Sequence, residues 1–327
     1  MLNRNAEALF WVGRYMERAE NHARLLDVHY HVQQEGLAED AKEVQQGRKW
    51  ARIVDALGSR QAYEQQYGAS YTEADVLHYV TLDRDHPNSL VCCVNYARGN
   101  LRTLREKVPS EMWDVVNGFY LWLREQRQEE LQHGSPHEFY QRIKEWAALF
   151  LGTSQSVMPR ENEWHFIECG RYLERSENTL RILLSIRNAC MDEALDTSSG
   201  GYAYLQAVLK SVSGYQAFRR YYADNIAIES INEFLVLHPA FPRSVYFAMH
   251  QMEDHLRGIG FQDAQLRAAH GKIIRQAGKT IAELSCLERE DLAGDPGGEI
   301  VAGLLHASQV LGEAFAKTFF RMGEASA

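Results

Sequence analysis

A nine-residue string occurs twice in this chain, and no other feature of it constrains the fold so much. Gly13-Arg14-Tyr15-Met16-Glu17-Arg18-Ala19-Glu20-Asn21 returns as Gly170-Arg171-Tyr172-Leu173-Glu174-Arg175-Ser176-Glu177-Asn178, and the match runs on through Arg24/Arg181 and Leu26/Leu183. A second landmark follows each copy at nearly the same offset, His86-Pro87-Asn88-Ser89-Leu90 and Phe241-Pro242-Arg243-Ser244-Val245. Two markers in one order at a common spacing point to duplication of a whole unit. The period is too long for a solenoid, so the expectation is two tandem, pseudo-equivalent helical bundles, residues 1–157 and 158–327, packed as one body. The 327 residues suit that division, because single cores stop growing near roughly 250 to 300 residues.

The units read as all-α. Prolines number only seven, strand-like alternation is nearly absent, and the long polar stretches are rich in Ala, Leu, Glu, Gln and Arg. Helices are expected near 5–33, 40–57, 72–82, 87–106, 110–132, 136–151, 162–192, 202–223, 226–237, 242–257, 262–287 and 299–321. Pro87, Pro109, Pro136 and Pro242 fall where a first-turn proline is tolerated, with Thr72, Ser110 or Ser135 as caps. Loops are expected at 196–201 and 293–298; neither follows a strand or carries the Lys-Ser/Thr ending of a phosphate loop.

At 100° per residue Leu9, Val12, Met16, Ala19, Ala23 and Leu26 form an apolar seam, as do Phe166, Cys169, Leu173, Ser176, Leu180 and Leu183. Arg14, Glu17, Arg18 and Asn21 lie on roughly the opposite face, bracketed by Phe10 and Leu25, and Arg171, Glu174, Arg175 and Asn178 repeat them. A freely solvated face would not need the same four residue types twice, so this face is expected to be enclosed. Two readings follow. The arginines present guanidinium forks to a carboxylate or phosphate, with Glu17 and Glu174 orienting them or acting as bases and Asn21 and Asn178 adding amide contacts. Alternatively the eight residues form a structural ion network, each Arg neutralised by a Glu on its own helix or on the other copy, because buried charges must be paired. Asn88, Ser89, Arg243 and Ser244 are secondary candidates; a Ser just after Pro-x more often belongs to helix-start geometry than to nucleophilic catalysis.

Composition narrows the partners. A formal charge of −9 gives no global attraction to nucleic acid. The five cysteines are odd in number, form no C-x-x-C pair and read as reduced core residues. No signal-peptide core or membrane-length apolar run is present, so a cytoplasmic location is expected. The paired Glu-x-x-His motifs of a di-metal bundle site do not occur. Asp75-x-x-His78 and Asp83-x-x-His86 sit in one region without a counterpart, so no metal is expected. Asp192-Glu193-Ala-Leu-Asp196 is a lone acidic run and reads as a solvated helix end. Tyr215, Phe218, Tyr221 and Tyr222 beside Arg219 and Arg220 read as core packing with one basic edge. No cofactor loop or recognisable nucleophile appears, and no catalytic residue is assigned.

On Phe10-Trp-Val-Gly-Arg-Tyr-Met-Glu-Arg-Ala-Glu-Asn21, the second E-R helix at 170–178 and Pro-Arg-Ser at 242–244, the chain resembles the alpha-E family, an all-helical bacterial domain of unknown function named for its E-R motif. The resemblance covers essentially the whole chain. It implies a protein encoded beside, or fused to, a circularly permuted ATP-grasp ligase and a transglutaminase-like protein, a setting of peptide or amide-bond formation. Arg98-Gly99-Asn100 and His22 depart from the pattern, which weakens any role for Arg98 or His22. Three functions remain open: an accessory or scaffold protein of such a ligase, with little activity on its own, that binds a partner or an anionic ligand at the E-R helices; an enzyme using Arg clamps and a Glu acid/base; or a purely structural E-R network.

Overall fold

The computed structural model describes residues 3–30, 39–127, 136–193, 199–295 and 298–320, and among these every regular element is a helix. In order they are α1 (Asn3–Tyr30), α2 (Glu39–Ala56), α3 (Arg60–Tyr67), α4 (Glu73–Thr81), α5 (Leu90–Arg102), α6 (Ser110–Glu125), α7 (Pro136–Val157), α8 (Asn162–Glu193), α9 (Ser199–Ser211), α10 (Tyr215–Tyr222), α11 (Ile228–Leu237), α12 (Val245–Gly258), α13 (Ala264–Ser285), α14 (Arg289–Ala293) and α15 (Glu299–Phe319). The fold is all-α, as the local preferences dictate. No helix of the described residues is long and apolar enough to cross a membrane.

The two E-R helices, α1 and α8, lie against each other at the centre. α1 also packs on α5 and α7, which α6 bridges, while α8 packs on α12 and α15, which α13 bridges. The short helices cross over: α2 leans on α8, and α9 on α1. Both E-R helices are therefore covered nearly all round. Their apolar seams are fully buried, with Leu9, Val12, Ala19, Ala23 and Leu26 at 0% exposure in α1 and Phe166, Cys169 and Leu180 at 0% in α8.

The helix starts obey cap chemistry more closely than the proline positions suggested. Ser89 and Ser244 are the N-caps of α5 and α12, their hydroxyls accepting from the amides of Cys92 and Phe247 at 3.3 and 3.0 Å. Pro87 and Pro242 thus stand two residues ahead of the cap, outside the first turn where they were expected. Pro136 does open α7, Pro109 is the N-cap residue of α6, and Thr72 caps α4. Ser110 begins α6 without making a cap bond, and Ser135 lies outside the described residues.

Other expectations are corrected. The helix expected over 202–223 is two, α9 and α10, separated at Ser213 and Gly214, where Ser213 takes φ +53. α3 and α14 fall in stretches read as connections. Cys92, Cys93 and Cys169 are buried, whereas Cys286 is exposed. The side chains of Cys190 and of the acidic run 192–196 lie outside the described residues.

A buried charge cluster between the two E-R helices

The glycines of the repeated string set the approach of α1 and α8. A Cβ on Gly13 would overlap the carbonyl oxygen of Ile167, and a Cβ on Gly170 would overlap that of Phe10, so the two backbones touch at a reciprocal crossing that only glycine permits. One turn beyond each glycine, the acid of one helix meets the arginine of the other.

Glu174 receives Arg18 as a fork, Nε to Oε1 at 2.7 Å and Nη2 to Oε2 at 2.9 Å. Glu17 receives Arg175 in the mirrored way, at 2.7 and 2.8 Å. These bidentate pairs have the planar geometry in which guanidinium–carboxylate bonds are strongest. Arg14 adds Nε to Glu174 at 2.7 Å and Nη2 to Glu177 at 2.6 Å. Each last Glu of the motif also holds an Arg of its own helix: Glu177 takes Arg181 at 2.7 Å, and Glu20 takes Arg24 at 2.6 Å.

The Pro-x-Ser landmarks complete both ends, and they break the symmetry. Asn88 accepts from Arg18 Nη1 through its side-chain oxygen. At the other end stands Arg243, which donates to Glu17 at 3.2 Å, to Asn21 Oδ1 at 2.6 Å and to Glu20 at 2.8 Å. Arg243 thereby occupies the carboxylates that Arg171, by analogy with Arg14, would take. Arg171 turns instead to Glu168 on its own helix. The position of α1 corresponding to Glu168 is Trp11, whose ring lies 5.4 Å from the Arg14 guanidinium.

The face is enclosed, as its duplicated composition implied. Glu174 is 0% exposed and Glu17 2%, while Arg14, Arg171, Arg175, Arg243 and Asn178 are all below a tenth exposed. Burial works against the charged form of Glu17, but Arg175 and Arg243 outweigh it and hold its pKa at about 2. Glu174 is likewise held well below the usual carboxylate range, burial being outweighed by Arg18 and Arg14. For Arg14 and Arg18 burial pulls downward, and the glutamates opposite raise both above the ordinary arginine value. These carboxylates are fixed anions in the physiological range, a poor state for exchanging protons with a substrate.

Of the twelve residues singled out in the sequence, Arg14, Arg18, Glu174 and Asn88 meet in one cluster and Glu17, Asn21, Arg175 and Arg243 in a second beside it. Arg171 stands apart with Glu168. Asn178 is tied to Arg181 at 3.1 Å through its oxygen, with its amide nitrogen unpartnered. Ser89 and Ser244 serve as caps and donate to no group of the network. Sequence reasoning left out Glu20, Glu177 and Glu168 as partners; the first two were legible as the second acid of the motif.

His22, buried between the network and His86, is driven down to about 3 by burial and by Arg18. At the same position on α8, Thr179 donates to the Arg243 carbonyl at 2.9 Å. Arg98 bonds Asn117 at 2.8 Å, away from the network. Asp75 lies in the first turn of α4, and Asp83 accepts from the Asp85 amide and from Gln66, both at 2.9 Å. Among the described residues no three His, Cys, Asp or Glu side chains stand together as metal ligands would. Phe218 is buried as expected, whereas Tyr221 is exposed.

A family model described as a predicted alpha-helical domain with a conserved ER motif matches residues 1–320. Similar curated proteins include an uncharacterized protein of Mycobacterium bovis, 24% identical over 273 residues, and two of Mycobacterium tuberculosis, 24% and 23% identical over the same length. Each alignment covers 77% of this chain and 29% of the relative, so the chain spans less than a third of the length of the curated relatives it matches. No solved structure matches it.

Proposed function

The chain belongs to the Alpha-E family, and we propose that it is a duplicated helical scaffold in which the E-R residues clasp the two halves together. The observation that carries this reading is the reciprocal crossing. Gly13 and Gly170 bring the backbones into contact, and Arg18–Glu174 and Arg175–Glu17 close over them as two buried forks. A site that exchanges ligands needs access to these groups, and the central carboxylates have almost none.

Duplication into units 1–157 and 158–327 is supported by agreement well outside the motif. The run α2 to α5 is matched by α9 to α12 at an offset near 155 residues. Gly58 and Ser213, at that offset, both take positive φ, as do Gly68 and Ala223. Arg181 lies over Gly58, and Arg24 donates to the Ser213 hydroxyl at 2.6 Å.

We place this scaffold in the cytoplasm beside a circularly permuted ATP-grasp ligase and a transglutaminase-like protein, as the family resemblance implies. The length of the mycobacterial relatives outside the match supports a module that works next to other domains. Copurification with the neighbouring ligase tests the partnership; failure to bind either the ligase or its substrate at micromolar concentration would sink it. For the clasp, Glu17→Gln with Glu174→Gln is expected to lower the melting temperature. Loss of activity in the reconstituted pathway without loss of stability would favour the enzyme reading instead.

One observation favours a second reading, in which the network also holds an anion. Each cluster contains three arginines and two glutamates: Arg14, Arg18 and Arg181 with Glu174 and Glu177, and Arg24, Arg175 and Arg243 with Glu17 and Glu20. An unbalanced buried cation is costly, and a carboxylate or phosphate at the rim would offset it. Under this reading millimolar phosphate or glutamate raises the melting temperature of the wild type more than that of Arg181→Gln. Equal shifts would remove it.

A further inference from the structure

A second group of arginines lies on the surface, away from the clasp. Trp113, Asn117, Tyr120 and Arg124 recur along one face of α6, and Arg98 from α5 and Arg105 from the following turn lean over it. The Arg98 guanidinium sits 4.5 Å from the Tyr120 ring centre and 5.5 Å from that of Trp113, Arg105 sits 4.0 Å from Trp113, and Arg124 6.0 Å from Tyr120. Arg105 and Arg124 are exposed, and Arg98, Trp113, Asn117 and Tyr120 are half-buried.

Two features give this stripe a direction. Among the described residues none of the three guanidiniums meets a carboxylate; the polar side-chain partner of Arg98 is the neutral Asn117. In a chain of net charge −9, residues 95–127 hold six cations and four acids. The corresponding place on α12 has the opposite character, with Glu253 at the offset of Arg98 and Arg257 bonded to it at 2.6 Å. One half of a repeated architecture thus displays unneutralised arginines where the other half neutralises its own.

We propose that the α5–α6 stripe is a docking surface for an acidic peptide segment of a partner chain. Attraction to the rings beneath them restrains the guanidiniums, so less side-chain freedom is lost when a carboxylate binds. Aromatic and arginine side chains in this combination are the residues that dominate binding energy at protein interfaces. A single-stranded nucleic acid fits less well. Its bases would need bare ring faces on which to stack, whereas the faces of Trp113 and Tyr120 are already covered by arginine, and the acidic molecule as a whole repels a polyanion. The surface shares no residue with the E-R network, so this inference stands whether or not the clasp is purely structural.

The test is fluorescence anisotropy with a labelled hexaglutamate peptide at 50 mM and 300 mM salt, with hexaglutamine and a 20-nucleotide oligo-dT as comparison probes, on the full chain. Wild type is expected to bind hexaglutamate at 50 mM salt, to lose at least tenfold in affinity at 300 mM, and to ignore hexaglutamine. The triple variant Arg98→Gln, Arg105→Gln, Arg124→Gln is expected to bind at least tenfold more weakly with an unchanged helical circular dichroism spectrum. The charge-matched variant Arg142→Gln, Arg257→Gln, Arg267→Gln is expected to bind like wild type. No binding at 50 mM salt, equal weakening in both variants, or tighter binding of oligo-dT than of the peptide would each overturn the proposal.

Discussion

At the scale of single residues, the repeated string combines two demands that reinforce each other. Glycine lets the backbones touch, and contact places the next turn's Glu and Arg within fork distance of their opposites. Gly170→Ala should therefore cost about 3 kcal/mol or more, because the methyl meets carbonyl backbone that cannot swing aside. Chemical denaturation reads this directly, and a cost under 1 kcal/mol would mean that the crossing is looser than described. Glu174→Gln takes from Arg14 and Arg18 the carboxylate they share and leaves them Glu177 and the neutral Asn88, at a cost of about 3 kcal/mol, the low end of the range for removing one partner of a buried pair. The enclosure of the charged face was legible in the sequence, since identical charges kept twice need a reason. Which Glu neutralises which Arg was not, because own-helix and cross-helix pairing both satisfy helical spacing. The choice rests on Asn88 and Arg243: a cation at only one of the two landmark positions displaces Arg171 toward Glu168.

At the scale of elements, the helix that breaks shows where pattern reading falls short. The apolar run from Leu205 to Val212 continues with Tyr215 and Phe218 in near-helical phase, so periodicity alone joins α9 to α10. The break comes from Ser213 at positive φ, a conformation that a serine does not announce. The matching turn in the first half uses Gly58, where the break is easy to see. Ala223 poses the same problem more sharply. It ends α10 at φ 55, ψ −128, a region that strains any residue with a Cβ, whereas Gly68 ends α3 at φ 74, ψ −168 without strain. Ala223→Gly is expected to stabilise the protein by about 1 kcal/mol, against the usual destabilising effect of added glycine. A fall in the denaturation midpoint would contradict the backbone geometry at this cap. The caps Ser89 and Ser244 were legible because cap chemistry is local; the exact helix starts were not, because Pro-x-Ser allows the proline either inside the first turn or ahead of it.

At the scale of the whole molecule, a shared interface ties the two halves into one stability, and pH is the variable that exposes it. His22 and His29 of α1 are each 4% exposed and are held neutral by burial, His22 at about 3 and His29 at about 4. Both values lie below the roughly 6.5 of an unfolded histidine, so the unfolded chain binds protons that the folded chain refuses. Their contribution is complete above about pH 6.5 and is lost as pH falls toward 4 for His29 and toward 3 for His22, each histidine steepening the decline by about 1.4 kcal/mol per pH unit. His86 and His255, depressed mainly by burial to about 4 and about 3, act in the same direction from either half. The clasp responds later: Glu17, near 2 when folded, keeps its full contribution above about 4.5 and loses it between there and 2. Acid should therefore weaken the protein in two stages, the histidine stage first, while the chain continues to unfold in one transition because α1 and α8 each pack against elements of both halves. Denaturation midpoints at pH 8, 6.5, 5.5 and 4.5 test this, and His22→Thr, which installs the residue found at position 179, should flatten the slope below pH 6.5. A midpoint constant from pH 7 to 5, or a variant with the wild-type slope, would show that α1 opens to solvent before the molecule as a whole unfolds.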